Sequence, residues 1–530
     1  MLWTVLAALP SGAASRLAQR PQLLVNIVVE GLSSDYIDLL YSQFGEHGLK
    51  RLIDNGVVLD HVEFGPGVDA TGAIAMLCTG ASPSVNGIAT AQVYDTQRHV
   101  SYSVLTDPEQ IGNYTTETLS PKALRTSTLS DELRIDGDGT GFVHTLAPEA
   151  TEAIILSGHA GNSAFWISDI DGKWATTTHY RDVPAAISNR NFTQPLATRL
   201  DTMTWRPLLK PEQYPGLPEH KRHYPFHHTF DHNNPNRYSL FKRSATCNTE
   251  ITTVATEYIR TMRLGARDAM DMLNVVYTVA PYPCSDDPLA RAETLDAYVR
   301  LDREIERLMK SIDATSTAGK VVVVLNGVPT TQNTSVPDDS KWNVPGGEFS
   351  TRRAQSLLNM YLIAKNGNGQ WVTDVDGNRF YLNHTLIEQN KLNAEELRSD
   401  AAKFLTRMAG VADAYTIDDI QECRAGNDPQ ALRRNTVVSQ GADLYVSVLP
   451  GWTLSNDVNT GHISRTTVRA MATSAPTIIY APERLTAQRI ATAIDARSVA
   501  STVAQILRIR SPNGADNPII YTIFAPEKQK

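Results

Sequence analysis

Short runs of apolar, mostly β-branched residues constrain this chain more than any other feature. They lie at residues 23–29 (LLVNIVV), 273–280 (LNVVYTVA), 321–325 (VVVVL) and 477–480 (TIIY), with a weaker case at 153–156 (AIIL). Runs this short, without apolar–polar alternation, read as strands buried on both faces, as in a parallel sheet covered by helices. Amphipathic stretches separate them. Over residues 293–313, Leu295, Tyr298, Leu301, Ile305, Leu308 and Ile312 recur in steps of three and four, with Arg, Asp and Glu on the opposite side. Residues 485–509 repeat the pattern through Ile490, Ile494, Val499, Val503 and Ile506. Strands alternating with helices predict an α/β fold, a central mostly parallel sheet sandwiched between helices.

Two regions break the alternation. Residues 160–245 are rich in Pro, His, Asn and Tyr, and residues 335–440 mix helix and short-strand signals. Both read as insertions that decorate the core of residues 21–530 and form a cap. His223, His227, His228 and His232 are interrupted by Pro and Asn and show no helical pair with a third ligand, so they are read as non-ligating. Trp166, Trp174, Tyr180 and Trp205 are either a cap core or a platform for a glycan or peptide.

Composition excludes several classes. With 530 residues, 42% of them apolar and 20% charged, the chain can bury a large core. The net charge is −8 and no basic cluster stands out, so a nucleic-acid partner is not expected. Cys78, Cys247, Cys284 and Cys423 form no CxxC pair and are read as small buried residues, with room for one disulfide. Residues 1–20 begin MLWTVLAALPSGAAS, an apolar stretch followed by small residues. They read as a signal-peptide remnant without the usual positive start, so export to the periplasm or cell envelope is expected. No later run approaches the roughly 18 apolar residues of a membrane span.

Longer motifs carry a resemblance. QLLVNIVVEGLSSDYIDLLYSQFGEHGLKRLIDNGVVLDHVEF, ATGAIAMLCTGASPSVNGIATAQVYD, AIILSGHAGNSAFWISDIDGKWATTTHY and ETLDAYVRLDREIERLMKSID resemble segments of the alkaline phosphatase superfamily. The pattern is similar to the PafA-like phosphatases and, more distantly, to the type I phosphodiesterases and nucleotide pyrophosphatases. The resemblance implies phosphoric ester hydrolysis by two zinc ions, a Thr or Ser nucleophile, and polar groups that hold the phosphoryl oxygens.

Matched residue by residue, the resemblance fails at the chemistry. The first ligand, an Asp in the family, matches Glu30, whose extra methylene moves the carboxylate by about an ångström in sites held to roughly half that. The nucleophile, nine residues before Thr79, matches Ala70. Thr71 is adjacent, but one helical step turns a side chain by about 100°. An Asp and His four residues apart match Pro281 and Ser285, and the adjacent Asp-His pair matches Gly327 and Val328. Slippage by one brings in Asn326, which restores no charge. The last His, eleven residues before Pro476, matches Arg465. The phosphate-binding Asn matches Ala91, and the Lys and Arg of the PafA-like branch match Glu149 and Thr151. Carboxylate for cation at Glu149 reverses an interaction worth roughly 4 kcal/mol per unit charge at about 4 Å and an effective dielectric near 20.

The reading is a catalytically inactive member that acts as a binding or scaffold component with protein partners in the cell envelope, with no cofactor expected. The alternative is a metal-dependent phosphomonoesterase or phosphodiesterase with a rebuilt site. It would use Thr71 or Ser285 as nucleophile and Glu30, Asp286, Asp287 or His462 as zinc ligands.

Overall fold

The computed structural model describes residues 20–217, 219–287, 290–316, 318–330, 346–422, 437, 441–449, 452–456, 464–466 and 473–524. Residues 1–19, Cys423 and His462 lie outside the described residues.

The apolar run at the start becomes β1 (Leu23–Glu30), the middle strand of an 11-stranded sheet. In chain order the other strands are β2 (Val57–Phe64), β3 (Gly112–Asn113), β4 (Val143–Leu146), β5 (Ser163–Ile167), β6 (Trp174–Thr177), β7 (Asp271–Thr278), β8 (Val321–Val328), β9 (Thr473–Tyr480), β10 (Gln488–Ile490) and β11 (Ile494–Asp495). Their spatial order is β10-β2-β9-β8-β1-β7-β4-β5-β6-β3, with β11 also on β2. β1 pairs in parallel with β7 and β8, β7 with β4, and β4 with β5, whereas β9 runs antiparallel to both β8 and β2. The sheet is therefore mostly parallel, as expected.

Alternate residues of β1 feed two separate cores. Leu23, Val25, Ile27 and Val29 pack on one face, against α5 (Ala245–Met262) and α6 (Arg291–Thr315). Leu24 and Val28 pack on the other, against α1 (Ala70–Thr79), α3 (Ala150–Ser157) and α7 (Arg497–Leu507). Burial on both faces is why this strand carries no alternation. One polar row crosses it. Thr477 on β9, Asn326 on β8, Asn26 on β1, Asn274 on β7 and Thr145 on β4 are linked side chain to side chain at 2.9–3.1 Å. Asn326, the one-residue slippage candidate, is thus spent inside the sheet.

Two expectations are corrected. Residues 153–156 lie in α3, not in a strand. An apolar run of four carries no period, and the deciding signal is the capping box formed by Glu149 and Glu152 around the helix start. The helix expected over residues 485–509 occupies only Arg497–Leu507, because residues 488–490 and 494–495 pair with β2 as edge strands. Cys78, Cys247 and Cys284 are free thiols, the first two buried, so none of these three forms the disulfide allowed for above.

Within residues 160–245, β5 and β6 belong to the main sheet itself, while α4 (Arg237–Lys242) precedes the long α5. Residues 372–448 contain a separate four-stranded sheet, Val372–Asp376, Arg379–Leu382, Leu444–Val448 and Val411–Thr416 in spatial order. The helices Thr351–Asn366 and Ala394–Leu405 share one apolar core with it, around Leu358, Trp371, Phe380 and Leu444. Arg379, Tyr381, Tyr415 and Tyr445 alternate with that core. Tyr381 meets Tyr94 of the main body at 5.3 Å between ring centres.

Candidate functional site

The parallel strands end at one edge. Glu30 closes β1, opposite Thr278 of β7 and Val328 of β8. The segments leading to α1 and α3 and the turn after β5 leave the same edge, where open α/β sheets take their ligands. Gly31, at φ +80, makes the turn after Glu30. A Cβ there would stand 2.8 Å from the Ala280 Cα, and its N–H donates to the Val328 carbonyl at 2.9 Å. Glu30, Pro281, Gly327 and Val328 are thus drawn together from three strand ends.

The donor chemistry at this edge does not fit the two-zinc cage that the resemblance implies. Pro281, Gly327 and Val328 offer no ligand atom. A Cβ at Gly327 would stand 2.9 Å from the Ala475 Cβ, so the packing leaves no room for a ligating side chain. Val328 is fully buried. Glu30 accepts a hydrogen bond from the Thr330 hydroxyl at 3.3 Å. Arg465 lies on a strand of a different, three-stranded sheet, opposite Ser455. Among the described residues, no three His, Cys, Asp or Glu side chains form a group that could hold a metal ion.

The fallback residues are dispersed among other roles. Asp286 is ion-paired with the ammonium of Lys221, which holds its carboxyl below the usual range. Asp287 accepts from the Arg291 guanidinium at 3.1 Å, and its N–H donates to Ser285 Oγ at 3.1 Å. Thr71 is buried at the second position of α1.

Asp69, which sequence reasoning passed over, governs the start of α1. Its carboxylate accepts from the N–H groups of Gly72 at 2.9 Å and Ala91 at 2.8 Å. Free N–H groups at a helix start attract anions; here a side chain of the chain itself takes them. Burial pushes the Asp69 carboxyl up, against the lowering effect of those N–H groups. Asp followed by an Ala-rich helix is a readable capping signal.

Glu149 caps α3 and binds Lys242 Nζ at 2.7 Å, and the same ammonium binds Asp169, just past β5, at 2.9 Å. The position where the resemblance implies a cation is therefore a carboxylate, with a cation supplied from α4. Thr151 is half-buried at the second position of α3. No local pattern marks Lys242, which lies 93 residues from Glu149.

The four aromatic residues offered as a glycan or peptide platform are all buried. Their polar tips are spent internally: Trp166 on Glu117, Trp174 on Glu250, Trp205 on Asp296, and Tyr180 on the carbonyls of Ile154 and Gly158. They are core residues, not a platform. Of the four histidines, His228 pairs with Glu293 at 2.9 Å and His232 with Arg237 at 2.8 Å, while His223 and His227 are exposed.

A family profile described as type I phosphodiesterase / nucleotide pyrophosphatase matches residues 24–469. The chain belongs to that family. Three curated relatives extend the comparison across most of this phosphodiesterase-family chain. A protein of Myroides odoratus named calcium-transporting ATPase is 26% identical, with 94% of each chain covered. Alkaline phosphatase PhoV of Synechococcus elongatus is 25% identical, covering 84% of this chain and 82% of its own length. Alkaline phosphatase PafA of Elizabethkingia meningoseptica is 25% identical over 76% of each. The crystal structure of wild-type PafA at 1.7 Å resolution superposes with a TM-score of 0.81 at 23% identity, covering 96% of this chain and 99% of that one. The family member described above thus has the PafA fold and stands in the alkaline phosphatase superfamily.

Proposed function

We propose that this chain is a catalytically inactive member of its family, retained as a binding or scaffold component that meets protein partners in the cell envelope. One observation carries the reading: the positions where the resemblance implies a nucleophile and zinc ligands hold Ala70, Pro281, Ser285, Gly327, Val328 and Arg465, with Glu30 the one carboxylate left. A methyl group cannot attack phosphorus, and a lone carboxylate cannot hold two dications. The segments emerging at the carboxyl edge, with residues 160–245 and 335–440, are the proposed recognition surface. Export rests on the apolar opening of the sequence. Among the described residues, no helix is long and apolar enough to cross a membrane.

The relatives named alkaline phosphatase favour a second reading, hydrolysis by a rebuilt site around Thr71 or Ser285. One experiment separates the two. The purified full chain is analysed for zinc and assayed on an aryl phosphate monoester and an aryl phosphodiester, with and without added zinc. The inactive reading expects substoichiometric zinc and no turnover above buffer. Stoichiometric zinc with turnover abolished by a chelator would establish the hydrolase.

A further inference from the structure

Lys242 ends α4 with its side chain only 2% exposed. Its ammonium lies between Glu149, the N-cap of α3, and Asp169, in the turn after β5. Beneath them the side chain of Glu152 is buried, and burial, followed by the charges of Glu30 and Glu149, holds its carboxyl well above the ordinary range. Two carboxylates, from the start of α3 and from the turn after β5, thus hold one ammonium. Burial works against the ammonium, yet Glu149 and Asp169 outweigh it and keep Lys242 charged. Both acceptors remain about half exposed, at 45% and 57%, so they keep much of their hydration while they bind. That geometry spares the two carboxylates much of the desolvation cost, which the buried ammonium alone bears.

We propose that this edge of the sheet is a site for one compact cation, filled in cis by the ammonium of Lys242. The ligand class is a primary ammonium, since two carboxylates do not make a metal-binding group. The tethered lysine joins the 160–245 region to the start of α3 and excludes external cations from the edge. This inference concerns occupancy and stability and stands apart from whether the chain hydrolyses esters.

Chemical rescue tests it. The full chain and its Lys242→Ala and Lys242→Met variants are unfolded by heat in chelator, in methylammonium, in magnesium or calcium, and in tetramethylammonium at matched ionic strength. Both variants are expected to melt lower than the parent by at least about 2 °C. Methylammonium should raise the midpoint of Lys242→Ala, which has a vacancy, beyond any effect of magnesium or calcium, and leave the parent and Lys242→Met, whose thioether fills the space, unmoved. Should Lys242→Ala fail to fold, recovery of folded protein on refolding with methylammonium is the readout. A midpoint equal to the parent's, no rescue by methylammonium, or equal rescue by tetramethylammonium, magnesium or calcium would each overturn the proposal.

Discussion

His144 stands buried on β4 between Phe142 and Tyr258, with Nδ1 2.8 Å from Ser163 Oγ and no partner for Nε2. Burial pushes its pKa down to about 4. The unfolded chain takes up this proton near pH 6.5 and the folded chain resists until about pH 4, so stability falls as pH drops through that window. The loss approaches about 3 kcal/mol. Glu152 acts with the opposite sign: its raised pKa favours the folded state at low pH and is lost as pH rises. Comparing denaturant unfolding of the parent with His144→Phe isolates the first effect. The variant should have the flatter profile between pH 6.5 and 4, and parallel profiles would refute the assignment. A second residue prediction concerns the amide row. Asn274→Ala strands the amide N–H of Asn26, whereas the Thr145 hydroxyl keeps Ser157, so the cost is about 1–3 kcal/mol, measurable as a lower urea midpoint at unchanged slope.

Among the elements, α1 depends on a carboxylate that does two things. Asp69 caps the helix through Gly72 and ties down the Ala91 segment, so Asp69→Ala should cost about 1–2 kcal/mol, and Asp69→Asn less, since an amide oxygen can still accept one N–H. Equal losses from both would show that charge, not acceptance, matters. The same scale explains what was legible. β1, β7 and β8 were readable because strands buried on both faces must be continuously apolar. The run at 153–156 misled because four apolar residues fit a strand or a buried turn of helix alike; the Glu149–Glu152 spacing was the better guide. Residues 488–490 carry a helical pattern although they form a strand, because their pairing with β2 lies more than 400 residues away and leaves no local trace.

For the whole molecule, chemistry belongs to the set of side chains at the strand ends rather than to any one of them. Restoring a hydroxyl with Ala70→Thr is therefore expected to give no turnover on an aryl phosphate, even with zinc supplied; activity from this single change would show that an intact metal site persists. The positions where the resemblance implies ligands and a nucleophile could be located in the sequence because long motifs flank them. The ion pairs around them could not: Lys242, Glu149 and Asp169 meet only through the fold, as Asp286 meets Lys221. The row running from Thr477 to Thr145 bears on how such an edge could change at all. Only one threading of the central strands lets all its amides and hydroxyls shake hands; a shift by a single residue would press them against hydrocarbon. The interior thereby checks its own assembly, and the rim is left at liberty to drift.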